Sequence, residues 1–171
     1  MVPCPIGPNN PLDVLPTQTI EVIHSLKHFF AENLKTTRHT LKACNHPLPI
    51  REIEIDLLDK NTSEKEVLEL IKCVENGENV GMMSEAGCPG IADPGSILVK
   101  VAHQKNIRVI PLIGPSSILL ALMASGFSGQ SFVFHGYLQK NINDLKKQLQ
   151  QLEQQSNRLK QSQIFIETPY R

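Results

Sequence analysis

Three observations predict an α/β fold with a mostly parallel sheet covered by helices. Short apolar runs alternate with segments of helical period, and short turns rich in Gly and Pro join them. The stretch Ser84-Glu85-Ala86-Gly87-Cys88-Pro89-Gly90-Ile91-Ala92-Asp93-Pro94-Gly95 leads from one apolar run directly into a helix pattern. Such strand-to-helix loops lie at the carboxyl edge of a sheet, where α/β proteins bind small ligands.

The elements follow in order. Met1–Cys4 is too short to assign alone, and Pro3-Cys4-Pro5-Ile6-Gly7-Pro8 ends any strand sharply. From Thr17, Ile20, Ile23, Leu26, Phe29 and Phe30 recur with helical spacing. Phe29–Glu32 fits the end of that helix or the start of a strand, and the period leaves both open. Arg51–Leu58 alternates Ile53, Ile55 and Leu57 with Glu52, Glu54 and Asp56, which predicts a half-buried strand. Ser63 and Glu66 have capping-box spacing, Val67, Leu68, Leu70, Ile71 and Val74 make an apolar face, and Gly77 stands where a C-terminal cap belongs. A central strand is expected at Val80–Ser84, a helix through Ile97, Leu98, Val101 and Ala102, a short buried strand at Arg108–Leu112 and a helix at Ile118–Ala124.

Composition changes at Ser125–Gln130, so residues 1–128 are expected to form an N-terminal α/β domain. Residues 129–171 supply a strand (Phe132–Gly136), a Gln/Lys-rich polar helix (Ile142–Lys160) and a strand (Gln163–Glu167). That is too little apolar material for a separate core, and it predicts the beginning of a second, smaller α/β domain cut short at Thr168–Arg171.

The 171 residues, 40% apolar and 20% charged, suit a core of ordinary size. Seventeen basic and seventeen acidic residues cancel, so no global field favours nucleic acid or an anionic membrane. A local basic patch remains at Lys35, Arg38, His39 and Lys42. Cys4, Cys44, Cys73 and Cys88 form no CxxC pair, and free thiols are expected. With no signal-peptide pattern or membrane-length apolar run, the expectation is a cytoplasmic protein with no membrane partner and no metal.

Three loops, Pro3–Pro8, Ser84–Gly95 and Gly114–Ser117, are expected to gather at one sheet edge and offer backbone N–H and C=O groups to a ligand. None is a GxGxxG or GxxxxGK[ST] phosphate cradle, a GxSxG elbow or an HExxH metal motif. Cys88 has no histidine beside it in the sequence and reads as an inert thiol. Asp93 before Pro94-Gly95 reads more readily as a helix cap than as a ligand contact. Met82 and Met83 read as core, and Gln148–Gln155 as exposed surface.

The loop from Ser84 resembles the S-D-A-G-T-P-x-I-x-D-P-G signature of the tetrapyrrole methylase superfamily, in the variant of its ribosomal RNA small-subunit methyltransferase I branch. Three more stretches match in order. Val2-Pro3-Cys4-Pro5-Ile6-Gly7 is similar to V-P-T-P-I-G, Ala31-Glu32 with Thr37-Arg38-His39-Thr40 to A-E-D-T-R-H-T, and Ile107–Ser116 to G-I-R-V-V-P-L-P-G-P-S. The chain departs from these patterns at Glu85 for Asp, at Cys88 for Thr, and in the Asn33–Thr36 insertion after Glu32.

The resemblance implies an S-adenosylmethionine-dependent methyltransferase of two α/β domains, a homodimer, with the cofactor between the domains. It places cofactor contacts on Ile6, Ser84, Glu85, Ala86, Gly87, Cys88, Ile91, Ser116, Ser117 and Ile166, with Glu167 a further contributor. A 2′-hydroxyl acceptor benefits from a base or a cation near its oxygen, which makes Glu32 and Arg38 the catalytic candidates. The implied reaction is 2′-O-methylation of ribosomal RNA. Methylation of a tetrapyrrole-like or other small acceptor, and a non-catalytic cofactor-binding protein, are the alternatives.

Overall fold

The computed structural model describes residues Met1–Thr168 and divides the chain into two compact units, Met1–Ser116 and the segment from Ser117. In the first, the elements run α1 (Pro11–Val14), α2 (Thr17–Ser25), β1 (His28–Ala31), α3 (Leu34–Ala43), a 3₁₀ turn (Ile50–Glu52), β2 (Glu54–Leu57), α4 (Glu64–Leu70), α5 (Lys72–Glu75), β3 (Val80–Met83) and α6 (Ser96–Gln104). The strands pair in parallel in the order β2-β1-β3, as an α/β fold requires.

The ambiguity at Phe29 is resolved by the sheet. Leu26 ends α2, and His28–Ala31 becomes the central strand, buried at every position. Alternation along it sends Phe29 to one face and Phe30 to the other. Phe29 packs with Ile20, Ile23, Leu41 and Met83; Phe30 packs with Val67, Ile71, Met82 and Val101. Gly81 lies opposite Phe29, and a Cβ there would stand 2.7 Å from the Phe29 ring. The missing side chain is the space the ring fills.

The sheet continues past β3 through single bridges. Val2 pairs in parallel with Met83, its N–H donating to the Met82 carbonyl at 2.8 Å. The Met1 amino group donates to the Ile110 carbonyl at 2.9 Å, and Leu112 N–H returns to the Met1 carbonyl at 3.0 Å, which is the parallel ladder pattern. The expected buried strand at Arg108–Leu112 is therefore corrected to an irregular edge segment. Among the described residues two backbone bonds hold it, and Ile110 is 51% exposed.

Two other expectations change. Ile50–Glu52 turns as 3₁₀, so β2 begins at Glu54, and Leu57 is exposed while Leu58 is buried. The helix through Val74 breaks at Ile71 into α4 and α5. Its start is as expected: Ser63 and Glu66 form a reciprocal capping box, and Gly77 follows the end with φ +97°.

The second unit holds α7 (Ser117–Ser125), β4 (Phe132–Tyr137), α8 (Ile142–Leu159) and β5 (Ser162–Ile166), with β4 and β5 parallel. Asn141 caps α8, and Lys160 ends it in the left-handed conformation. Of the expected final turn, Pro169–Arg171 lies outside the described residues. No described helix is long and apolar enough to cross a membrane.

Candidate functional site

The three loops meet at the carboxyl edge of β1 and β3. Cys4 and Gly87 form an antiparallel bridge, exchanging N–H to carbonyl bonds of 2.8 and 3.1 Å. The Cys4 thiol donates to the Ser84 carbonyl at 3.1 Å, and the Cys88 thiol to the Pro115 carbonyl at 3.4 Å. A Cβ on Gly114 would stand 2.3 Å from the Pro3 ring, so the first and third loops touch through the absent side chain.

The loop after β3 doubles back on itself. Gly87, Gly90, Ala92 and Gly95 all have positive φ, and Ala92 does so at 62° without glycine's freedom. Ser84 is buried, its hydroxyl donating to the Ala86 carbonyl at 3.2 Å. Glu85, Ala86 and Ile91 are exposed, whereas Gly87 is buried beside Ile6 and Pro115. Asp93 does not cap α6. Gly95 occupies the cap position with no side-chain bond, and the Asp93 carboxyl lies instead close enough to the Ser84 hydroxyl for it to favour the ionised form.

Glu32 reaches across the edge. Its N–H donates to the Met83 carbonyl at 3.0 Å, continuing the β1–β3 ladder, and its carboxylate accepts the Glu85 N–H at 3.0 Å. Thr36 in α3 donates its hydroxyl to the Glu85 carboxylate at 3.3 Å. Glu32, Glu85 and Asp93 thus share one small region, and among the described residues no cationic side chain pairs with any of them.

Their ionisation follows from this crowding. Burial pushes the Glu32 carboxyl above its ordinary range, and the charges of Glu85 and Asp59 add to it against the stabilising Glu85 N–H. Burial, then repulsion from Glu32, lifts Asp93 to about 6. Burial lifts the Cys4 thiol to about 12 and raises Cys88 as well, with the Asp93 charge adding to it. A nucleophilic thiolate therefore has no support here. Burial and mutual repulsion instead make Glu32 and Asp93 hold their protons more tightly than free carboxyls do.

Of the sequence-predicted residues, the structure brings together Ile6, Glu32, Ser84, Glu85, Ala86, Gly87, Cys88 and the turn ending at Ser116. Arg38 lies on the exposed face of helix α3 and forms no ion pair with Glu32. Ser117 opens α7 and Ile166 closes β5, both in the second unit. The residue that sequence reasoning underweighted is Asp93. The Asp-Pro-Gly spacing suggests a cap, and no local signal shows that the loop folds it back onto Ser84.

This first unit is an α/β domain whose carboxyl-edge loops converge on an anionic, backbone-rich surface, the place where proteins of this class take small ligands. Over its full length the chain is a homologue of curated proteins named ribosomal RNA small subunit methyltransferase I, a branch of the tetrapyrrole methylase family. The protein from Bacillus subtilis strain 168 is 34% identical over 173 residues, covering 100% of this chain and 54% of the relative. That from Synechocystis sp. is 34% identical over 171 residues, covering 100% and 57%. That from Halalkalibacterium halodurans is 34% identical over 163 residues, covering 94% and 54%. The chain spans about half the length of these relatives. No family model matches it. The resemblance read from the four motifs is borne out.

Proposed function

We propose that this chain is part of an S-adenosylmethionine-dependent methyltransferase that modifies small-subunit ribosomal RNA at a ribose 2′-hydroxyl. Similarity along the whole chain to proteins of that name carries the reading. The site residues fit the cofactor chemically. A sulfonium with an amino-acid ammonium is cationic, and Glu32, Glu85 and Asp93 form a carboxylate group without an internal counter-charge. The doubled-back loop supplies backbone groups at Glu85–Ile91, with Ile6 and the Pro115-Ser116 turn beside it. Ser117 and Ile166 are kept as proposed cofactor contacts on the motif resemblance.

When bound, the cofactor supplies an activated methyl group. The protein's part is alignment, exclusion of water and care of the acceptor's proton. Glu32, held by the Glu85 N–H and raised by burial, is assigned to take that proton as the hydroxyl oxygen forms its new bond. Arg38 is assigned to orient the acceptor. Domains at 1–128 and 129–171, a homodimeric assembly and a cytoplasmic location belong to the same proposal.

The test is transfer of labelled methyl groups by the purified protein to unmodified small-subunit ribosomal RNA, with calorimetry of S-adenosylmethionine binding alongside. Incorporation at a ribose 2′-oxygen is expected. Cofactor binding without incorporation into RNA overturns the RNA substrate, and the absence of cofactor binding overturns the methyltransferase.

A further inference from the structure

Helix α3 has two opposed faces. Thr37, Thr40, Leu41 and Cys44 are buried, while Lys35, Arg38, His39 and Lys42 are exposed. Both sets follow the i, i+3, i+4, i+7 spacing of a single helical stripe. The helix contains no acidic residue. Lys72, Lys100, Lys105 and Arg51 each pair with a glutamate, yet among the described residues no carboxylate pairs with Lys35, Arg38 or Lys42.

Helix stability does not account for the stripe. Lys35 lies in the first turn, where the helix dipole disfavours a cation, and Asn33 already caps the free N–H groups of Lys35 and Thr36. The helix is also tied to the site, since Thr36 bonds to Glu85 in the loop after β3. From there the stripe runs about 10 Å along the helix axis. A cationic helix face and a carboxylate-rich loop are thus linked through Thr36 in a chain whose total charge is zero.

We propose that the exposed face of α3 is a docking surface for the phosphate backbone of the RNA substrate, with Lys35 and Lys42 as phosphate contacts on either side of Arg38 and His39. This rests on the methyltransferase reading above and adds where the polyanion lies. The carboxylates repel phosphate and the stripe attracts it, so the backbone follows α3 while a ribose hydroxyl turns toward Glu32. Backbone contacts of this kind position the nucleic acid without reading its sequence.

The test measures binding of unmodified small-subunit ribosomal RNA across a salt series, for the chain and three paired variants. S-adenosylmethionine calorimetry serves as the check that each is folded. Replacing Lys35→Ala with Lys42→Ala is expected to weaken RNA binding about tenfold near 0.1 M salt and to make the slope of log affinity against log salt shallower by about 1.4. Lys35→Arg with Lys42→Arg is expected to keep both values. Lys60→Ala with Lys65→Ala, on exposed residues outside α3, is expected to keep them too. An unchanged slope in the first pair, or an equal loss in the Lys60/Lys65 pair, overturns this inference and leaves the proposed function standing. Cofactor binding with no RNA binding in the unaltered chain overturns both.

Discussion

The Glu32 carboxylate accepts the backbone N–H of Glu85 at 3.0 Å, joining residues 53 positions apart at the ends of adjacent parallel strands. The same residue's own N–H extends the β1–β3 ladder to the Met83 carbonyl. One side chain therefore ties the loop after β3 to the sheet, and the bond presents the carboxyl group at the surface where a ligand is proposed to lie.

Glu32→Ala removes the acceptor and leaves the Glu85 N–H to solvent or unpaired. A loss of about 1 kcal/mol in unfolding free energy is expected, with faster hydrogen exchange at Glu85. Glu32→Gln retains an acceptor oxygen and is expected to recover most of the exchange protection. It is expected to remain deficient in methyl transfer, because an amide takes no proton.

Asp93 supplies a pH dependence. Its folded pKa, about 6, is above the ordinary 3.8, so the native state holds a proton that the unfolded chain releases. Stability is thus favoured at low pH and falls as pH rises from the unfolded value through about 6. Affinity for a cationic cofactor should move the opposite way and rise through the same range. Asp93→Asn is expected to flatten both curves, measured by urea midpoints and by calorimetry from pH 5 to 8. A cofactor affinity in Asp93→Asn that still climbs through pH 6 would argue against Asp93 as the titrating group.

His28 titrates at the opposite edge of the sheet. It is buried, with Nε2 2.9 Å from Asp56 and Nδ1 3.2 Å from Glu78, and a Glu54 oxygen 3.9 Å away. Burial by itself lowers its pKa, but the bonds to Asp56 and Glu78 and the Glu54 charge outweigh it and leave the value above 6.5. The imidazolium's stabilisation is complete below the unfolded pKa and is lost as pH rises through the folded one. Thermal melts should drop as pH rises above 6.5, and His28→Gln should remove that drop.

Gly114→Ala tests the contact between the first and third loops. Its Cβ would fall 2.3 Å from Pro3, whose ring is buried and cannot swing away. A destabilisation of about 1–3 kcal/mol is expected, with weakened cofactor binding. Gly126→Ala, where no atom lies within 4 Å of the new Cβ, meets only the strain of its +74° φ and should leave cofactor binding intact.

The sequence by itself determined the fold class, because periods of two and 3.6 separated by Gly and Pro are local signals that the sheet only has to accept. It also determined the capping box at Ser63–Glu66 and the four ordered motifs. What it left open at Phe29 was settled by pairing on both sides, which makes four residues a strand although their apolar spacing also suits a helix. The Arg108–Leu112 segment went the other way. Its apolar residues look buried in isolation, but among the described residues its backbone pairs with Met1 alone, and it stays at the margin. Asp93 was misread for a related reason: a cap is a short-range motif, whereas its closeness to Ser84 depends on a loop that turns through four positive φ angles. The meeting of Glu32, Glu85 and Asp93 was likewise decided only by the tertiary structure. Glu32, from the end of β1, becomes a neighbour of Glu85 and Asp93 in the loop after β3 when parallel strands deliver their loops to one edge, and no local pattern records that distance.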